Sequence, residues 1–251
     1  MTAYSIEVSQ NSHLERKVSA ITRSLLAWFD ENRRRFPWRE TFEKPDPYLI
    51  LFAEIMLQRT KADQVVPIYQ EFVSKYPTFD DLSTARDHDV AALFQRLGLE
   101  WRAKNVVRLV RVLRRSQGVV PRQFAELRKL PAVGDYVARA VMCYAFGERT
   151  APVDANVVRV ISRLFGLRST GDSGRRNKSI ALLALKLVPK KRTRDLNLAV
   201  LDFAAGVCKP KPLCQICPLQ KYCQYWLELS KMSQHRSFGD LRLSAQTLQR
   251  A

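Results

Sequence analysis

The sequence predicts an all-α protein. Apolar residues recur at helical spacing along nearly the whole chain, no segment alternates convincingly as a strand would, and Gly- or Pro-marked turns separate the periodic runs. At 251 residues the chain can bury a substantial core in one or two domains.

The elements follow in order. Val18, Ile21, Leu25 and Phe29 form the first apolar stripe, and Ser12-x-x-Glu15 reads as its capping box. Asp46-Pro47 reads as the N-cap and first residue of an apolar helix from Tyr48 to Leu57. Further helical patterns cover 61–75, 87–97, 102–116, 121–130, 135–147, 155–165, 178–188 and 194–207. The stretch Ser169–Gly174 reads as a surface loop, and the basic residues after Leu229 as a poorly ordered tail over 230–251.

Composition narrows the function. A formal net charge of +18 and a pI near 10.1 favour a polyanionic partner, nucleic acid or an anionic membrane surface. No apolar run approaches the ~20 residues needed to span a bilayer, which weighs against membrane. The start MTAYSIEVSQ has neither the basic residues nor the apolar stretch of a signal peptide, so a cytoplasmic, nucleoid-associated protein is expected.

Four of the five cysteines crowd one short segment, Cys208, Cys214, Cys217 and Cys223, with Pro210, Pro212 and Pro218 stiffening the intervening loops. In a reducing compartment such thiols gather to bind metal, and soft sulfur selects zinc or an iron–sulfur cluster. Spacing alone does not choose between them. Cys143 lies in the apolar stretch Ala140–Phe146 and reads as a core residue.

Two carboxylates stand out. Glu54 lies inside the apolar run Leu49–Leu57, where burial raises a carboxyl pKa and can hold a proton donor ready near neutral pH; its ordinary alternative is a core glutamate paired with an arginine. Asp154 precedes the stripe Val157, Val160, Ile161 and Leu164, where aspartate is a common N-cap. Between them, Leu130-Pro131-Ala132-Val133-Gly134-Asp135-Tyr136 joins two helical patterns through a tight turn. Gly134 can take a positive φ there, Asp135 suits an N-cap, and free amides at the second helix can hold a DNA phosphate.

In FPWR (36–39), Pro47-Tyr48, AEIMLQRT (53–60), LPAVGDY, VDANVVRV and the cysteine segment, the chain resembles the helix-hairpin-helix DNA glycosylases that carry an iron–sulfur cluster, the group of endonuclease III and MutY. The resemblance covers about residues 18–227. It implies two helical subdomains with a DNA-binding groove between them. One is a helical barrel over 41–150 with the hairpin at about 121–147, and the other is a cluster subdomain of 12–40 plus 151–229. It implies a 4Fe-4S cluster on the four cysteines, with zinc the lesser alternative. The partner would be double-stranded DNA holding a mismatched or damaged base, bound by a monomer. Asp154 matches the catalytic aspartate and Glu54 the glutamate with which MutY protonates adenine. Gln58, Arg59 and Leu99 fall where relatives fill or probe the gap left by a flipped base, and Val133, Gly134 and Tyr136 lie at the hairpin. Arg102, Lys104 and Arg108 are expected on phosphates.

Position 136 divides the branches. Endonuclease III types carry a lysine there that forms a Schiff base, and MutY a small residue, whereas tyrosine resembles the MIG-type thymine-DNA glycosylases. The expectation is a monofunctional glycosylase of base excision repair that hydrolyses thymine or uracil from pairs with guanine, with little AP lyase activity. The sequence ends soon after the cysteines, with no room for a MutY-type 8-oxoguanine domain, which weighs the same way. A short MutY-like adenine glycosylase is the alternative, and a non-catalytic iron–sulfur DNA-binding protein is the alternative of another class. The segment departs from the family in three places: the first cysteine gap is one residue short, Ala132 replaces a usual glycine, and Asp135 replaces a usual basic residue.

Overall fold

The computed structural model describes residues 3–40, 44–168 and 171–231. Every regular element among them is helical: α1 (Ala3–Asn32), α2 (Pro37–Glu40), α3 (Pro47–Met56), α4 (Ala62–Lys75), α5 (Phe79–Thr84), α6 (Asp87–Gln95), α7 (Glu100–Arg115), α8 (Phe124–Leu127), α9 (Asp135–Tyr144), α10 (Ala155–Phe165), α11 (Gly171–Arg175), α12 (Lys178–Leu187) and α13 (Thr193–Gly206). Two 3-10 turns, Cys214–Ile216 and Gln220–Tyr222, and helical residues 224–231 follow.

The chain divides into two compact units, one of Met1–Arg33, Val153–Leu187 and Leu198–Ala251, the other of Arg34–Pro152 and Val188–Asn197. Residues 34–40 and 188–197 therefore group with the hairpin-bearing unit, whereas the resemblance implies that they belong with the cysteines.

In the hairpin-bearing unit, Asp46 Oδ1 accepts from the Tyr48 amide at 2.8 Å and Pro47 opens α3, so the start of this helix is set locally. Its apolar faces bury Phe52 against Phe72 of α4, ring centroids 5.0 Å apart, and Phe72 meets Phe94 of α6 edge-on at 6.0 Å. In the cysteine-bearing unit Ile21 and Leu25 of α1 are fully buried, and Trp28 packs edge-on against Phe203 at 5.5 Å. Thr22 Oγ1 donates to the Leu187 carbonyl at 2.8 Å, tying α1 to the end of α12.

Several local expectations are corrected. Ser12 lies within α1, which begins upstream, so Ser12-x-x-Glu15 is not its cap. The 121–130 pattern yields only the four-residue α8, since its flanks turn at Pro121 and at Leu130-Pro131. Within the 169–174 loop, residues 171–174 are helical in α11; residues 169–170, like the tail over 232–251, lie outside the described residues.

Candidate active site and cysteine centre

In the hairpin-bearing unit, Glu54 stands on the buried face of α3 with 5% of its surface exposed. α3 packs against α9, and the Glu54 charge reaches Cys143 of α9. Burial, more than that charge, pushes the Cys143 thiol up to about 12. Asn197 fixes this thiol from behind, its Nδ2 donating to Cys143 Sγ at 3.2 Å and to the Thr150 and Thr193 carbonyls. Cys143 is thus a neutral core residue, as its sequence context indicates.

The hairpin turn differs from expectation in one respect. The left-handed residue is Ala132 at φ 65°, while Gly134 is extended at φ −88° and serves as the N-cap of α9. Asp135 lies in the first turn instead of capping it, and its Oδ1 pairs with Arg128 Nε at 2.5 Å. Arg128 Nη1 also donates to the Val133 carbonyl at 2.7 Å. A cation therefore offsets the acidic residue at the hairpin. Val133 has a buried side chain, and its amide donates to the Leu130 carbonyl, so it offers a neighbouring anion little; Gly134 is exposed and Tyr136 half-buried at the helix mouth.

Gln58, Arg59 and Leu99 sit on two turns of the same unit. Arg59 is exposed at φ 56° and Leu99 half-buried at φ 65°, both left-handed. Lys104 is exposed on α7 and pairs with Glu100 at 2.7 Å, and Arg108 is exposed one turn further on. Arg102 is corrected: it is completely buried, with its guanidinium committed to carbonyl oxygens and one hydroxyl, and it cannot meet a phosphate.

In the cysteine-bearing unit, Asp154 is the N-cap of α10. Its Oδ1 accepts from the Val157 amide at 2.8 Å and its Oδ2 from Asn156 Nδ2 at 2.7 Å. Both carboxylate oxygens are thereby held by donors of the first turn of α10. Capping and catalysis are therefore compatible roles here, since the cap bonds fix the carboxylate's orientation.

Behind Asp154 lies a chain that the motif reading missed. Arg159 Nη2 donates to Asn156 Oδ1 at 3.1 Å, and its Nε donates to the Cys208 carbonyl at 2.9 Å. One turn on, Arg163 Nη1 reaches Cys208 Sγ at 3.4 Å and the Lys209 carbonyl at 2.6 Å, Nη2 reaches the Pro210 carbonyl at 2.8 Å, and the guanidinium stacks 5.0 Å from the Tyr225 ring. Polar residues at 156, 159 and 163, at three- and four-residue spacing among apolar neighbours, are the signal that identifies this second face.

Cys208, Cys214, Cys217 and Cys223 line one small cavity, partly open to solvent, together with Leu164, Phe203 and Val207. Burial raises the thiols of Cys214 and Cys223 and pushes Cys217 up to about 11, so the site needs positive charge to hold thiolates. Among the described residues no group of three or more His, Cys, Asp or Glu side chains is arranged to hold a single metal ion. Gly166 ends α10 in the left-handed conformation, and a Cβ there would stand 2.7 Å from Gln224 Cγ, just past the last cysteine.

Residues 52–189 match the family model described as the HhH-GPD superfamily base excision DNA repair protein. The chain belongs to this superfamily. It is 42% identical over 219 residues to the thymine/uracil-DNA glycosylase of Methanothermobacter thermautotrophicus, covering 86% of this chain and 96% of that one. It is 34% identical to the adenine DNA glycosylase of Homo sapiens over 223 residues, 84% of this chain but 41% of the human protein. The solved structure of a thermostable thymine-DNA glycosylase superposes with a TM-score of 0.77 at 39% identity, covering 85% of this chain and 98% of that one. The all-α fold is therefore that of its family.

Proposed function

We propose that this protein is a monofunctional DNA glycosylase that flips thymine or uracil out of pairs with guanine and hydrolyses its glycosidic bond. The observation that carries the reading is the likeness to a thymine/uracil-DNA glycosylase across 96% of that enzyme's length, with Tyr136 at the mouth of the hairpin helix. The N-glycosidic bond breaks with its electron pair going to the base. Positive charge develops on the sugar, and Asp154 stabilises it as a fixed carboxylate. Water adds its oxygen to the sugar, and the departing base takes up the proton. Tyr136 has no amine to form a Schiff base, so the strand stays intact. Exposed Lys104 and Arg108 supply phosphate contacts and Gly134 presents the hairpin helix.

We propose further that Cys208, Cys214, Cys217 and Cys223 hold a 4Fe-4S cluster, which supplies structural organisation of the loop and positive charge to the thiolates. That all four cysteines line one cavity, with soft thiols as the donors, supports a metal centre there.

Glu54 favours a second reading, adenine excision, because a buried carboxylic acid suits protonation of a purine. Labelled duplexes holding one T:G, U:G, A:G or A:8-oxoguanine pair, incubated with protein and then treated with alkali, separate the two. Strand scission confined to T:G and U:G is expected. Scission at adenine establishes the second reading, and none at any pair turns the weight to a binding protein.

A further inference from the structure

Among the described residues, Arg102 is the only arginine that the fold buries, and it lies where two strained turns meet. Arg102 Nη1 donates to the Met56 carbonyl at the end of α3 at 2.5 Å, and Nη2 donates to Thr60 Oγ1, Leu97 O and Gly98 O at 2.9, 3.0 and 3.3 Å. Thr60 Oγ1 in turn donates to the Gln58 carbonyl at 3.3 Å, and Gln58 Nε2 donates to the Ala132 carbonyl at 2.9 Å. One guanidinium thus ties the Gln58-Arg59-Thr60 turn to the Leu97-Gly98-Leu99 turn, and Gln58 extends the tie to the hairpin. Arg59, Leu99 and Ala132, the non-glycine residues at the three tied corners, have φ of 56°, 65° and 65°. Such residues persist only where their surroundings over-determine them.

A buried cation is a costly way to fill a core, so its hydrogen bonds identify its use. All its acceptors are backbone carbonyls and one hydroxyl that themselves belong to the two turns or to the end of α3, whose negative dipole end faces it. Lysine, with a compact ammonium, cannot span acceptors on three segments as the planar fork does.

We propose that Arg102, acting through Thr60, is a positioning residue that holds Gln58, Arg59 and Leu99 as one rigid wedge for opening a base pair. This rests on the reading that the protein extrudes a base from duplex DNA. The chemistry at Asp154 is not its object. A loosened wedge therefore slows removal of a base that must be pried from its partner, and spares one already unpaired.

The test is single-turnover excision of the base that the wild type removes, placed opposite guanine or opposite a stable abasic analogue. If the wild type removes no base, the functional reading fails before any variant is made. Thr60→Val and Arg102→Lys are expected to slow excision opposite guanine at least about tenfold, and opposite the abasic analogue by less than about threefold. Thr60→Ser restores the hydroxyl and with it the rate. Thr60 is only half-buried, so its pair of variants carries the test if Arg102→Lys does not fold. Equal slowing on both substrates, no slowing on either, or a Thr60→Ser rate as low as that of Thr60→Val overturns the proposal.

Discussion

Asn156 donates to Asp154 Oδ2 at 2.7 Å and so fixes the carboxylate oxygen that the helix cap leaves over. The Val157 amide holds the other oxygen. Both donors to the carboxylate belong to its own helix, and Arg159 links one of them, Asn156, to the Cys208 carbonyl.

Asp154→Asn keeps an N-cap side chain and removes the charge. Excision is expected to fall about 10²–10³-fold, the scale of losing one transition-state stabiliser, with the melting temperature and duplex affinity nearly unchanged. Asn156→Ala leaves the charge but frees one oxygen, and a smaller loss is expected. Single-turnover rates beside a gel-shift titration check both.

Iron content reads the cysteine centre directly. The wild type is expected to be brown and to carry about four irons per chain, with the content lost in Cys217→Ser. Cys143→Ala should keep full iron, because Cys143 belongs to the packed interface of α3 and α9 and not to the cavity.

Cys143 also predicts an alkaline signature. Its folded pKa, raised by burial from 9.0 to about 12, exceeds the unfolded value. The stabilisation is therefore complete below the unfolded value and lost as pH climbs towards 12, because the unfolded chain releases the proton first. Across that window this group contributes a fall of about 1.4 kcal/mol per pH unit. Denaturant unfolding of Cys143→Ala from pH 8 to pH 11 is expected to show a shallower decline than the wild type, whatever its absolute stability.

Salt dependence separates the basic residues of α7. Neutralising Lys104 or Arg108 is expected to flatten the log–log slope of duplex affinity by about 0.9 each. Borohydride should trap no adduct with an abasic duplex, since Tyr136 supplies no amine.

The helices were legible because their apolar residues keep strict periodicity, as in Val157, Val160, Ile161 and Leu164, and because Asp46-Pro47 caps α3 with nearest neighbours alone. The gathering of the four cysteines around one cavity was legible from spacing. Arg102 was misread because a basic residue beside Lys104 and Arg108 looks like one more surface charge; its burial depends on carbonyls at positions 56, 97 and 98, which no local pattern reveals. Gly134 was misread for a related reason. Glycine is the residue best suited to positive φ, yet the turn places alanine there and leaves Gly134 extended.

The left-handed backbones of Arg59 and Leu99 carry a trade-off between durability and purpose. Glycine at either position would relax the turn and is expected to raise the melting temperature, yet it would delete the side chain that the turn displays. Screening this protein for thermal resistance alone would therefore select against the side chains proposed to open the base pair.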